Sequence, residues 1–117
     1  MYMSANDITE QLRGFGNVLS LKLQFDGVLG YDLELLLADD AEQQCRLLLC
    51  KDVSLLSIEN FGGGLHQLRA LQATDLRSQQ LDRIKLSFYD KASENFSFSC
   101  AAAEITNITA SLEASNA

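Results

Sequence analysis

Apolar residues recur at every second position in two neighbouring segments, and this spacing constrains the fold of the chain more than any other feature. The first set comprises Leu19, Leu21, Leu23 and Phe25, and the second comprises Tyr31, Leu33, Leu35 and Leu37. Alternation of apolar and polar residues is typical of a β-strand with one buried face. The two segments therefore predict a hairpin that turns one apolar face towards the core.

The loop between the two segments determines the predicted register of this hairpin. Facing Phe25 with Tyr31 pairs every apolar residue with an apolar partner, as far as Leu19 opposite Leu37. A two-residue Asp-Gly turn would bring the apolar face of one strand against the polar face of the other. We therefore predict the longer loop.

A third strand is predicted at residues 45–51. Pairing its first residue with Leu37 extends the sheet, and the run is apolar on both faces around Leu48, which is typical of a central, covered strand. A fourth apolar stretch covers residues 53–58. The glycine-rich sequence at residues 61–64 then interrupts the pattern.

The C-terminal half predicts one further hairpin. Residues 84–88 and 96–102 both alternate, and Phe88 is expected to face Phe96. Residues 67–74 are predicted as a strand on the evidence of the bounding glycines. The spacing of three between the leucines of this region also fits a helical turn.

Residues 5–13 predict a short helix, which Ser4 or Asn6 can cap and which Gly14 can end. The predicted fold class is therefore α+β and mainly β. We expect one antiparallel meander sheet of about six or seven strands, with the N-terminal helix packed on one face.

The 117-residue chain has 47% hydrophobic and 21% charged residues, values that exclude wholesale disorder. We predict a single domain over residues 1–117, with a frayed tail at residues 111–117. The sequence has no apolar run long enough to span a membrane, and its first residues lack the pattern of a signal peptide. Three cysteines are too few for a disulfide scaffold, so we predict a cytoplasmic protein.

The net charge is −7, from sixteen acidic residues against nine Lys and Arg. An acidic chain repels phosphate groups, which argues against binding to nucleic acid or to an anionic membrane surface. A protein partner, and a basic one in particular, fits this charge better.

Acidic residues concentrate in one segment of the second strand and the loop after it. The cluster consists of Asp32, Glu34, Asp39, Asp40 and Glu42. One interpretation is a docking surface for a basic partner. The other is a solvated hairpin whose charges protect it from edge-to-edge aggregation. The spacing of a calcium-binding loop is absent.

The single histidine, His66, follows Gly62, Gly63 and Gly64. Backbone N–H groups of a glycine-rich loop can bind an anion, and a histidine beside such a loop can act as a general base. The segment lacks the lysine and the spacing of a phosphate-binding loop. A glycine-rich strand connection is the simpler interpretation.

The three cysteines and His66 have the composition of a zinc site but not its spacing. Cys45 and Cys50 are five residues apart, whereas structural zinc sites use pairs two to four residues apart. We therefore predict no metal and no cofactor. Cysteines such as Cys100, in phase with Phe96 and Phe98, are expected to act as small apolar core residues.

The sequence contains no nucleophile–base pair, metal-ligand set or phosphate-binding loop of a familiar pattern, so we predict a non-enzymatic protein-binding or regulatory module. Pairing of an edge strand across a two-fold axis would make it a homodimer. The order of a short helix, a leucine-rich meander and a Phe-Gly-Gly-Gly break is similar to many small bacterial proteins of unknown function. Some acidic domains of this kind are immunity proteins, so an immunity-type inhibitor of a basic toxin is one alternative. A small enzyme using His66 and a nearby carboxylate is another.

Overall fold

The computed structural model describes residues 4–28, 30–40, 44–59, 66–68, 70–76, 85–92 and 95–109. Within these ranges the chain forms one helix and eight strands, and every strand pairing is antiparallel. The helix is α1 (Ala5–Leu12), and the strands are β1 (Asn17–Phe25), β2 (Tyr31–Ala38), β3 (Gln44–Ile58), β4 (His66–Gln67), β5 (Leu71–Asp75), β6 (Leu86–Asp90), β7 (Phe96–Cys100) and β8 (Ala102–Thr109). The predicted α+β, mainly antiparallel fold class is confirmed.

The strands follow the order β4-β1-β2-β3-β7-β6-β5, and β8 pairs with the first half of β3. As predicted, β3 is central, because β2 and β8 flank its first half. The apolar stretch at residues 53–58 continues β3 and pairs with β7. Register shifts interrupt β3 near Asp52 and Leu55, where the backbone φ angle is 56° at both residues. Such bulges bend a strand, so β3 joins two differently oriented parts of the sheet.

The helix α1 begins and ends as its sequence predicts. The Ser4 hydroxyl accepts a hydrogen bond from the Asp7 backbone N–H at 3.2 Å, and Gly14 has a φ of 84° just after the helix. Ile8 and Leu12 are buried, and the helix packs against β5 and β8. The side chain of Gln11, near the end of the helix, also accepts a hydrogen bond from Arg46 of β3 at 3.2 Å.

The register of β1 against β2 confirms most of the prediction. Phe25 faces Tyr31, and the pairing continues inward through Leu23 and Leu21. A register shift between Val18 and Ser20 then places Val18, rather than Leu19, opposite Leu37. The predicted pair of Leu19 with Leu37 was wrong, because the bulge leaves Leu19 without a directly opposite residue in β2.

The register of β2 against β3 is one residue away from the prediction. Leu37 faces Arg46 instead of Cys45. A shift of one residue moves every side chain to the other face, so Leu48 and Cys50 lie in the core, while Leu47 and Leu49 are only half-buried.

The hairpin of β6 and β7 keeps its predicted faces but is displaced by two residues. Phe88 faces Phe98 instead of Phe96, and the two rings stack with centroids 4.7 Å apart. The predicted strand at residues 67–74 is present as two shorter strands, β4 and β5. The predicted tail at residues 111–117 lies outside the described part of the chain.

Candidate binding surface

Large apolar side chains are exposed at the turn end of the β1–β2 hairpin. The exposed fraction is 42% for Leu23, 54% for Phe25, 81% for Val28 and 48% for Tyr31. We call these four residues the hairpin patch. The sequence predicted a core-facing position for Leu23, Phe25 and Tyr31. They do share a face with the buried Leu33, but the described structure leaves this end of that face uncovered.

Asp26 organises the turn that carries the hairpin patch. Its Oδ1 accepts hydrogen bonds from the backbone N–H groups of Val28 at 2.7 Å and Gly30 at 3.3 Å. The rings of Phe25 and Tyr31 meet edge to face, with centroids 5.6 Å apart and planes at 63°. These contacts fix the conformation of the turn and the relative position of the two aromatic rings.

The backbone of β1 offers hydrogen-bonding groups on the side away from β2. The Asp26 N–H donates to the Gly30 carbonyl at 2.8 Å, which makes this a hydrogen-bonded pair of the hairpin. Hydrogen-bonded and non-hydrogen-bonded pairs alternate along antiparallel strands. The N–H and C=O groups of Leu21, Leu23 and Phe25 therefore point to the outer edge of β1.

The strand β4 covers only the beginning of that edge. It pairs with β1 at Asn17 and Val18 alone. In the described ranges of the chain, no other strand pairs with the outer edge of β1. The hairpin patch and this edge thus form one continuous surface with both apolar side chains and backbone hydrogen-bonding groups.

The acidic residues of β2 lie on the opposite face of the hairpin, each with a lysine nearby. The Lys51 ammonium is 2.9 Å from the Asp32 carboxylate, and the Lys22 ammonium is 3.9 Å from that of Glu34. The second carboxylate oxygen of Asp32 is buried without a hydrogen-bond partner. An open cleft of about 330 Å³ lies beside these residues and reaches Phe25.

The remaining acidic residues lie at the other end of β2. Asp39 pairs with Gln44 across the β2–β3 turn, its N–H donating to the Gln44 carbonyl at 3.1 Å, and Asp40 follows in the turn. Asp32 and Asp39 are separated by the length of β2, about 23 Å at roughly 3.3 Å per residue. Glu42 lies outside the described residues. The structure therefore divides the acidic segment into a lysine-paired face and a separate turn.

The predicted ligand loop is largely outside the described ranges. The backbone of His66 pairs with Val18 in β4, but the His66 side chain and residues Gly62, Gly63 and Gly64 are not among the described parts. An anion site there stays a prediction.

The three cysteines are buried thiols outside any disulfide, in agreement with the predicted apolar role. Burial, followed by a hydrogen bond between the Cys50 and Cys100 side chains, raises the pKa of the Cys50 thiol well above its usual value. In the part of the chain that the structure describes, no three His, Cys, Asp or Glu side chains come together to hold a metal ion. None of its helices has the length and apolar character needed to cross a membrane.

Comparison with protein-family models, with curated proteins and with solved structures gives no significant match for this chain. The interpretation of its function therefore depends on its own residues. Sequence reasoning missed the hairpin patch, although Val28, an apolar residue inside a glycine-containing loop, was a signal that could have indicated it.

Proposed function

We propose that this protein is a non-enzymatic protein-binding module and that the hairpin patch is its contact surface. The supporting observation is the grouping of four apolar side chains, two of them aromatic, at the exposed end of one hairpin. Contiguous exposed apolar surface in a small protein is typical of an interaction site.

The chemistry of the patch suits a protein partner better than a small ligand. Aromatic residues are enriched at protein interfaces because they bury a large area with few rotatable bonds, and Tyr31 adds a hydroxyl. Full burial of one such side chain contributes about 1.5–3 kcal/mol. Phe25 and Tyr31 are each about half exposed, so a partner would gain roughly half of that from each.

The alternative of an immunity-type inhibitor, with Asp32, Glu34, Asp39, Asp40 and Glu42 as its docking surface, has less support. Lysines beside Asp32 and Glu34 reduce the negative potential of that face. An enzyme using His66 has no described side-chain geometry in its favour. We keep the cytoplasm as the proposed compartment, which the buried thiols support.

A site-specific photo-crosslinker tests the proposed surface. A benzophenone amino acid replaces Phe25 in one variant and Tyr89, which is 40% exposed on β6, in a matched control. We expect adducts of discrete mass in living cells from position 25 and none from position 89. Adducts of the same kind and yield from both positions, or none from either, would contradict the assignment.

A further inference from the structure

We infer that the partner at the hairpin patch is a second copy of this chain, which adds its own β1 antiparallel to the outer edge of β1. The inference rests on the proposed function, because it takes the same surface and names what binds there. The two-fold axis would pass through Leu23, so that the sheets of both copies join into one continuous sheet.

The backbone at the edge of β1 is suited to such an addition. Leu21, Leu23 and Phe25 direct their N–H and C=O groups outward, as the hydrogen bond between Asp26 and Gly30 establishes. With the axis at Leu23, the two Leu23 residues form a hydrogen-bonded pair. Leu21 of each copy then pairs with Phe25 of the other. All three outward-facing residues therefore gain partners at once.

Other positions of the axis are less favourable. An axis at Lys22 would set the two Lys22 side chains directly opposite each other, which destabilises an antiparallel pair. An axis at Gln24 would bring Leu21 opposite Gly27, which lies beyond the end of β1 and has a φ of 89°. The position at Leu23 avoids both problems.

Charge also favours β1 as the contact between two acidic chains. Each copy carries a net charge of −7, yet the only charged residue in β1 is Lys22. With the axis at Leu23, Lys22 of one copy faces the neutral Gln24 of the other and lies diagonal to its Asp26, at a spacing that long side chains can reach. The edge of β1 is thus a place where two copies can approach without opposing carboxylates.

The side-chain burial follows the same geometry. Leu21, Leu23 and Phe25 point to one face of β1, so pairing about Leu23 joins the apolar rows of the two copies. Leu23 and Phe25, exposed by 42% and 54%, would lose much of that exposure. The association would pair the edge of β1 that the described strands leave open, and it would cover much of the exposed apolar surface.

Cysteine crosslinking tests the position of the axis. In the Leu23→Cys variant the two new thiols would lie on Cα atoms about 5.5 Å apart, within the range of a disulfide. Leu19→Cys is the matched control, because Leu19 is 40% exposed on the same strand. Its two Cα atoms would be about 26 Å apart at roughly 3.3 Å per residue. The three native thiols are buried, and the unsubstituted protein checks that they do not react.

We expect mild oxidation with copper phenanthroline to convert Leu23→Cys to a covalent dimer while Leu19→Cys remains monomeric. We also expect the unsubstituted protein to sediment as a dimer. Leu23→Lys should raise the dissociation constant roughly 100-fold without changing the circular dichroism spectrum, because both copies would lose the apolar burial of Leu23 and two ammonium groups would face each other at the axis. Equal crosslinking of the two cysteine variants, or a strict monomer at high concentration, would overturn the inference.

The same experiments separate this inference from the proposed function. If the protein sediments as a monomer while the crosslinker at position 25 captures a different protein, the second copy is the wrong partner and the hairpin patch remains a binding surface. If the protein is a monomer and position 25 captures nothing, both proposals are wrong.

Discussion

The hydroxyl of Thr9, in helix α1, hydrogen-bonds to both backbone groups of Ala73 at the outer edge of β5. It accepts from the Ala73 N–H at 2.9 Å and donates to the Ala73 carbonyl at 3.4 Å. An edge strand with unpaired backbone groups invites pairing with another chain, and here one helical side chain occupies that position. The two ends of the sheet therefore differ, because α1 protects β5 whereas β1 carries the exposed hairpin patch.

Replacing Thr9 with alanine should lower the free energy of unfolding by about 1–2 kcal/mol, because both backbone groups of Ala73 lose their partner. Thr9→Ser keeps the hydroxyl and should lose less than half as much. Urea denaturation of the two variants measures the difference. Equal stability of Thr9→Ala and Thr9→Ser would show that the hydroxyl has no role.

Alkaline pH should destabilise the protein through Cys50. Burial raises the pKa of this thiol in the folded state, so above about pH 9 the unfolded chain loses a proton that the folded chain keeps. The free energy of unfolding should then fall with rising pH, by up to about 1.4 kcal/mol per pH unit. The decline begins above the unfolded pKa and ends only near the raised folded pKa.

The Cys50→Ala variant is the control for this pH dependence. It should have a shallower decline of stability between pH 9 and the onset of alkaline unfolding, whatever its stability at neutral pH. Denaturant titrations at several pH values give both slopes. Identical slopes in the two proteins would assign the decline to other groups.

Asp90 is fully buried, and it joins the end of β6 to the residue that precedes β5. Its Oδ1 accepts a hydrogen bond from the Ala70 N–H at 2.8 Å, and the neighbouring Lys91 N–H donates to the Ala70 carbonyl at 3.1 Å. Asp90→Ala should lower the free energy of unfolding by roughly 2–3 kcal/mol. Asp90→Asn keeps an acceptor oxygen and should lose clearly less in a thermal unfolding experiment. The reverse order of the two variants would contradict this role.

The backbone strain at Leu55 predicts a variant more stable than the natural protein. Leu55 has a φ of 56° and is 74% exposed, so its side chain contributes little burial while its backbone is in a left-handed conformation. Such a conformation costs a non-glycine residue about 1–2 kcal/mol. Leu55→Gly should therefore raise the free energy of unfolding by up to about 1 kcal/mol, after allowance for the extra freedom of the unfolded chain.

Ser57→Gly provides the matched comparison for Leu55, because Ser57 is also exposed on β3 but lacks a positive φ. This variant should lose about 0.5–1 kcal/mol. If Leu55→Gly loses as much as Ser57→Gly, the left-handed backbone at Leu55 is not a source of strain.

The parts of the fold that follow from local patterns could be predicted from the sequence. The alternation in β1 and β2 has a single register that matches the apolar faces, and Phe25 indeed faces Tyr31. Ser4 and Gly14 mark the limits of α1 through backbone chemistry that needs no tertiary contact. In these places one arrangement is much better than its neighbours.

The parts that depend on bulges and on uninterrupted apolar runs could not be predicted. Leu47, Leu48 and Leu49 are chemically alike, so alternation could not decide which of them faces the core. The predicted register of β2 against β3 was therefore wrong by one residue. The bulges at Leu19, Asp52 and Leu55 have no glycine to mark them. The predicted strands at residues 45–51 and 53–58 are one strand, β3, which continues through the bulge at Asp52.

The exposure of the hairpin patch could not be predicted for a different reason. Alternation indicates which side chains share a face of a strand, but it carries no information on whether another element covers that face. Leu23 and Phe25 have the pattern of core residues, yet 42% and 54% of their surfaces are exposed.

The central position of β3 has a consequence for the synthesis of the protein on the ribosome. Cys45 pairs with Ile108, a residue that is translated long after it. In a nascent chain that ends after β3, the strands β7 and β8 have not yet been synthesised. The edge of β3 that faces away from β2 is then unpaired, and its leucines are uncovered. Contacts so distant in sequence slow folding and expose the growing chain to aggregation. We therefore expect ribosome-bound chains that end before residue 100 to be those that most need a chaperone.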